Sequence, residues 1–298
     1  MTAAPTNDSS PAAAADEPAA RPVRDAESDS GAPATTPTAQ DPQPADRDPQ
    51  PDQQPDQQAE ESAKEPRPPI LTVVLVRHGQ STANVAGVLA GRTEGVRLNE
   101  HGEGQAAAIA ERLSSARFDR LISSPLERCI QTVTPFSDAV QLPIEPDEHF
   151  IEVDYGSWSG RELKDLGAEP LWRTVQAHPS AAVFPGGEGL AGVSARAAAG
   201  IRDIRLAATK DQTVLICSHG DVIKAILADA LGMHLDAFQR IVVAPASISV
   251  IRYTPLRPFV ERINDTGELG SISPYPTDTS PKVPQAPTSD AVPGGVTS

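Results

Sequence analysis

Two histidines in this chain stand in the same kind of place: each follows an apolar run and precedes a glycine. Arg77-His78-Gly79-Gln80 comes directly after Ile70–Val76, and Ser218-His219-Gly220-Asp221 directly after Thr213–Cys217. An arginine beside a histidine, with no flanking metal ligands, offers a cation to hold an anion and an imidazole to attack it. Ser124-Pro125-Leu126-Glu127-Arg128 adds a second arginine, and Ile151–Gly160 adds a segment dense in carboxylates and aromatic rings. The reaction that such residues suggest is phosphoryl transfer through a covalent phosphohistidine. Charge on the transferring group would be met by Arg77, Arg128 and a protonated or donating His219. His78 would have to be neutral at its attacking nitrogen, with the other nitrogen donating to a backbone carbonyl. Glu152 would protonate the departing oxygen and later deprotonate water. No metal and no cofactor is called for, because the positive side chains answer the charge.

Each piece alone has a plainer explanation. A histidine at a strand end is more often a hydrogen-bonded structural residue, and a lone arginine on a helix is by default a surface charge. Glu148 and Asp154 flank Glu152, so spacing does not choose among the three acids. The combination of two strand-end His-Gly pairs with Ser-Pro-Leu-x-Arg is much harder to attribute to chance.

The elements that must position these residues alternate along the chain. Leu71–Val76 and Thr213–Cys217 read as buried strands, and Phe118–Ile122 as a short one. Asn99 caps a helix to about Ala116. Ser124 is placed to cap a helix with Pro125 in its first turn, and Pro135 to bend or end it. Residues 161–178 read as one helix, Leu190–Ala208 as a long one, and Val222–Leu231 as a third, closed by Gly232. Ile248–Tyr253 and Pro258–Ile263 suggest a final edge hairpin. Strands interleaved with helices predict a three-layer α/β sandwich with a largely parallel central sheet. In such sheets, ligands bind at the carboxyl ends of the strands, where both histidines fall.

Composition divides the 298 residues into three. Residues 1–69 hold 14 of the 30 prolines, a net charge of −9 and almost nothing apolar beyond alanine, so they read as a disordered acidic arm. Residues 266–298, rich in Pro, Thr, Ser and Gly, read as a disordered tail of net −2. Of the total of −15, this leaves −4 for residues 70–265, enough chain for one catalytic domain. The acidity argues against nucleic acid as a partner. There is no apolar run of membrane-spanning length, and the N-terminus lacks the pattern of a secretory signal. Two cysteines, Cys129 and Cys217, make neither a disulfide framework nor a zinc site and read as free core thiols in a cytoplasmic protein. Gly102-Glu103-Gly104 follows no strand and is no dinucleotide fingerprint, and no P-loop is present.

The ordered set of segments resembles the histidine phosphatase superfamily, the phosphoglycerate mutase-like fold, over about residues 71–263. The matches run through Val76–Ser81 and Asn84, Gly91-Arg92 with Leu98 and Gly102, Ser123–Thr132, Glu152–Gly160 and Ser218-His219-Gly220. The resemblance implies His78 as nucleophile, Arg77, Arg128 and His219 as the phosphate pocket, and Glu152 as proton donor, since it stands four residues before Gly156. It also puts Ser81, Asn84, Arg92, Tyr155 and Gly220 at the substrate. Apart from the resemblance, residues 161–190 are expected to set the pocket's specificity. The segments around Trp172-Arg173 and Pro185–Glu188, and the run from His219 to Phe259, look most like a small subfamily labelled probable phosphomutases. One departure stands out: relatives commonly show Gly-Arg-x-Asp-x-Pro-Leu, and this chain has Gly91-Arg92-Thr93-Glu94-Gly95-Val96-Arg97-Leu98.

Three functions compete. A phosphatase of small phosphorylated metabolites comes first. A phosphomutase on the same intermediate would need further cations to rebind a phosphorylated product, and a core of net −4 offers no dense second cluster. A non-catalytic binding module, with the acidic arm for docking, comes last, because His78, Arg128, Glu152 and His219 are all present. A second copy of the chain, as a homodimer, is admitted as a partner.

Overall fold

The structure is a computed structural model and describes residues 67–267. The arm and the tail, both expected to be disordered, lie outside the described residues except for 67–69 and 266–267.

The two histidine-bearing runs form adjacent strands because both are aliphatic and buried on both faces. β1 (Leu71–Arg77) and β4, numbered in chain order (Gln212–Ser218), pair in parallel with Arg77 opposite Ser218. β2 (Arg120–Ser123) lies parallel on the far side of β4, and β3 (Ile144–Pro146) parallel beyond β2. β5 (Ile248–Tyr253) runs antiparallel to β1 and forms a hairpin with β6 (Pro258–Asp265), the expected edge pair. The six strands therefore stand in the order β3-β2-β4-β1-β5-β6, parallel in the centre.

Helices cover both faces. On one face α2 (Glu100–Leu113) and α3 (Glu127–Val140) pack together and bury Ile109, Leu113, Val133 and Phe136 with Val74, Val76 and Leu215. On the other, α6 (Leu190–Ala207) and α7 (Gly220–Ala230) bury Val193, Ile201, Ile223 and Ile226 with Leu71, Val73 and Ile216. Short helices α1 (Thr82–Ala86), α4 (Leu163–Leu166) and α5 (Pro170–Ala177) lie in the connections. Asn99 caps α2 as expected, its side chain accepting from the Gly102 N–H at 2.8 Å.

Several local expectations are corrected. α3 starts at Glu127 with no side-chain cap, and Ser124 is committed elsewhere. Pro135 neither ends nor breaks α3, which continues to Val140 on a face that buries Cys129, Thr132, Val133 and Phe136. The single helix read over 161–178 is two, α4 and α5, since a residue before proline is pushed out of the helical region and Glu169 is extended at ψ 138° before Pro170. α7 begins at Gly220, directly on His219, rather than at Val222. Two glycines are required by close approach. A Cβ on Gly102 would collide with the carbonyl of Gln80, so α2 sits against the backbone that follows His78. Gly156, at φ +52°, lies on the backbone of Pro185 and Gly187, which seats the Glu152 loop on the turn before α6.

Candidate active site

Register places the two imidazoles together. Because Arg77 faces Ser218, the next residues leave the sheet side by side, and the His78 and His219 rings stand 5.2 Å apart. The His78 N–H donates to the Ser218 carbonyl at 3.0 Å. His78 Nδ1 lies 2.8 Å from the Gly79 carbonyl, which can only accept, so Nδ1 carries the proton and Nε2 keeps its lone pair. Burial, then the charges of Arg128 and Arg77, hold the His78 pKa well below the ordinary imidazole value. The Gly79 N–H donates to Thr132 Oγ1 at 2.9 Å, and that hydroxyl donates to the Arg128 carbonyl, which ties the His78 loop to α3.

His219 is wholly buried. Its Nδ1 lies 3.2 Å from Arg128 Nη2; a guanidinium only donates, so Nδ1 accepts and Nε2–H donates to Ser124 Oγ at 2.7 Å. Ser124, expected to cap a helix, therefore fixes this tautomer. Burial, then Arg128 and His78, push the His219 pKa down, so of the two forms considered it is the neutral, donating one that the surroundings favour. Cys129 Sγ packs 3.4 Å from the same Nε2, and Cys129 and Cys217 are both buried free thiols.

Both arginines are buried. Arg77 Nη1 donates to the Val243 carbonyl at 2.6 Å; burial brings its pKa down to about 10, which leaves it cationic at neutral pH. Arg128 Nη2 donates to the Gly91 carbonyl at 2.9 Å, while its Nη1 has no hydrogen-bond partner among the described residues. A buried guanidinium nitrogen without a partner leaves a donor for an anion.

Glu152 completes the cluster. Its Oε2 lies 3.6 Å from His219 Nδ1 and 4.0 Å from Arg128 Nη2, and its Oε1 accepts from the Val153 N–H. Burial first and the charge of Asp221 next, opposed by Arg128, raise its pKa to about 7. The two competing acids are engaged or remote: Asp154 Oδ1 accepts from the Gly156 N–H, and Glu148 is exposed.

The loop that carries Glu152 has no ladder of its own, and side chains hold it. Arg92 Nε and Arg196 Nη2 both donate to the Glu152 carbonyl, at 2.8 and 3.2 Å. Each also donates to Glu188 at 2.8 Å, and Glu188 accepts the Asp154 N–H at 2.9 Å. Burial alone would raise the Glu188 carboxyl, but the bonds from Arg196 and the Asp154 N–H outweigh it and its pKa is lowered. The Tyr155 hydroxyl donates to Asp221 at 2.8 Å, and Asp221 lies 3.6 Å from Lys224, all three buried.

Of the residues expected at the site, Arg77, His78, Arg128, Glu152 and His219 converge. Gly220 is buried as the first residue of α7. Arg92 points its guanidinium at Glu152 and Glu188, and Tyr155 is wholly buried on Asp221. Ser81 and Asn84 bond each other: Asn84 Oδ1 accepts from the Ser81 N–H and hydroxyl, and Ser81 Oγ accepts from the Asn84 N–H, a reciprocal cap of α1. Sequence reasoning did not find Thr132, Glu188, Arg196 and Asp221. Thr132, Glu188 and Asp221 fall within segments it singled out, but nothing in their spacing revealed what they bond.

A fold with strand-end histidines and buried arginines defines a class, and the comparisons agree. The family model for the histidine phosphatase superfamily (branch 1) matches residues 73–266, and the chain belongs to that family. It is 32% identical over 206 residues to phosphoserine phosphatase 1 of Hydrogenobacter thermophilus, covering 68% of this chain and 96% of that protein. It is also 32% identical to a probable phosphoglycerate mutase of Proteus mirabilis, over 62% of this chain and 86% of that one. Among solved structures, a putative α-ribazole-5′-phosphate phosphatase from Escherichia coli superposes with a TM-score of 0.61 at 25% identity, covering 66% of this chain and 97% of that one.

Proposed function

We propose that this protein hydrolyses small phosphomonoesters through a phosphohistidine on His78. The lone pair of His78 Nε2 attacks phosphorus; the bond from phosphorus to the leaving oxygen breaks, and the Glu152 carboxyl gives that oxygen its proton. Water then attacks the phosphohistidine, its proton passes to the Glu152 carboxylate, the P–N bond breaks, and inorganic phosphate leaves. Arg77 and Arg128 answer the charge on the phosphoryl oxygens, and His219, its Nε2–H held by Ser124, steadies Arg128 through Nδ1. The observation that carries this reading is Glu152: a carboxyl raised to about 7, 3.6 Å from His219, can give a proton in one half-reaction and take one in the next.

Hydrolysis is favoured over mutase chemistry because the other cations nearby are occupied. Arg92 and Arg196 bond Glu188, and Arg97 pairs with Glu127. The names of the relatives, phosphoserine phosphatase and phosphoglycerate mutase, divide along the same line. We place the activity in residues 70–265 and the protein in the cytoplasm, the latter on the strength of its two buried free thiols; no helix among the described residues is long and apolar enough to cross a membrane.

The test is phosphate release from a panel of small phosphate esters, with and without EDTA, by wild type and His78→Ala. EDTA-resistant release that His78→Ala loses is expected. Transfer between two hydroxyls of one substrate with little free phosphate would favour the mutase, and release by His78→Ala would overturn the nucleophile.

A further inference from the structure

Next to Arg128 a cavity of about 330 Å³ opens between residues 93–96 and residues 125–128. Both of its walls are attached to the phosphate site. Gly91, just before the first wall, accepts from Arg128, and Ser124, just before the second, accepts from His219. Arg128 lines the cavity, is 1% exposed, and has Nη1 without a partner. A phosphate engaged by that nitrogen would have its ester substituent beside this cavity.

The charges on the walls are then a statement about the substituent. Val96, Pro125 and Leu126 are uncharged and half-buried. Glu127 is paired with Arg97 at 3.3 Å. Glu94 is exposed, and its carboxylate has no ion pair or hydrogen bond among the described residues. Once Arg128 is engaged by phosphate, the unbalanced charge on the walls is the one negative charge of Glu94. The neighbouring arginines, Arg92 and Arg97, are each taken up by a carboxylate.

We propose that this cavity receives the leaving alcohol and selects one with no net negative charge of its own, a neutral polyol or an amine-bearing alcohol. The proposal rests on the phosphatase reading and deepens it. A carboxylate or second phosphate on the substituent would sit near Glu94 with no free cation on the cavity walls among the described residues to offset the repulsion, in a wall open enough to solvent that the discrimination is modest.

Glycerol 3-phosphate and 3-phosphoglycerate are a matched pair, a hydroxymethyl group against a carboxylate. We expect kcat/KM to favour glycerol 3-phosphate by about tenfold at low salt. The ratio should narrow in 0.5 M NaCl, as the roughly 10 Å screening length at 0.1 M shrinks, and fall to parity or invert in Glu94→Lys. Equal or better turnover of 3-phosphoglycerate by wild type, or a ratio that Glu94→Lys does not move, would overturn it. The same pair titrated calorimetrically into the His78→Ala protein reads the charge preference without turnover. Failure of wild type on every ester would therefore sink the phosphatase reading, and a binding ratio that favours the carboxylate would separately sink this one.

Discussion

The two halves of the site are built by different means. The histidine half hangs on the central sheet: β1 and β4 fix where His78 and His219 leave it, and the His78 N–H, the His78 Nδ1–H and the Gly79 N–H are each taken by a defined acceptor. The acid half hangs on a loop, where the Glu152 carbonyl is held by two arginines and the following turn by Glu188. Backbone register tolerates loss of a single side chain, whereas a loop clamped by one carboxylate does not. The nucleophile should thus be insensitive to its surroundings and the proton donor sensitive to them.

The largest effect tests the histidine half at its centre. His78→Ala should lower turnover of every ester by several orders of magnitude, because no second imidazole can accept the phosphoryl group: His219 Nε2 is committed to Ser124. Rapid-quench detection of acid-labile phosphoprotein should find it in wild type and not in the variant.

Next comes the acid. Glu152→Gln should cut kcat on alkyl phosphates by about 10²–10⁴-fold and on aryl phosphates, whose leaving groups need little help, by much less. In wild type, alkyl ester cleavage should decline as pH rises through about 7, where the proton to be donated is lost, and the variant should lack that limb. If Asp154→Asn reproduces the pattern and Glu152→Gln does not, the wrong acid has been chosen. Stability should move the other way. The folded Glu152 pKa, raised to about 7, lies above its unfolded value, so its ionised form is a burden on the native state once pH passes the carboxylate range. Glu152→Gln should therefore gain stability relative to wild type between pH 5 and pH 8, measured by urea unfolding.

The comparison is sharpened by a pair of substitutions one contact away from each half. Glu188→Ala frees Arg92 and Arg196 and releases the Asp154 N–H, and a donor misplaced by about 1 Å can cost up to about 10²-fold. We expect the loss in kcat on alkyl esters only, with a shifted pH limb and the phosphorylation burst on aryl esters retained. Thr132→Val strips the Gly79 N–H of its acceptor and should cost about 1–3 kcal/mol of stability with a smaller change in kcat. Equal catalytic losses from the two would erase the distinction between the halves.

That distinction also explains what could be read in the sequence. The strand runs are long, aliphatic and punctuated by His-Gly, so β1, β4 and their terminal histidines were legible, as were Asn99 over α2 and the edge hairpin. Ser124-Pro125 has every local mark of a helix start; the hydroxyl is drawn instead to His219, a partner 95 residues away that no local pattern encodes. The choice among Glu148, Glu152 and Asp154 was illegible for the same reason, since the loop is oriented by Glu188 and Arg196, whose bonds to it span 34 and 44 residues of chain. Arg92 and Tyr155 were legible as residues near the site, but their partners, Glu188 and Asp221, turn them towards the loop and the interior.

The smallest expected effect concerns neither half. Removing residues 1–65 leaves Arg67 and Ile70, whose bonds to Asp211 fasten the entry to β1. The Arg67–Asp211 pair is exposed and screened by salt, so it adds little to stability. All five converging residues lie from Arg77 to His219, and among the described residues the hydrogen bonds that hold their segments run within residues 70–265. The truncated protein should match the full chain in kcat and KM for alkyl and aryl esters alike. A loss confined to alkyl esters would mean that the arm bears on the Glu152 loop, and a loss on both would make it part of the catalytic domain.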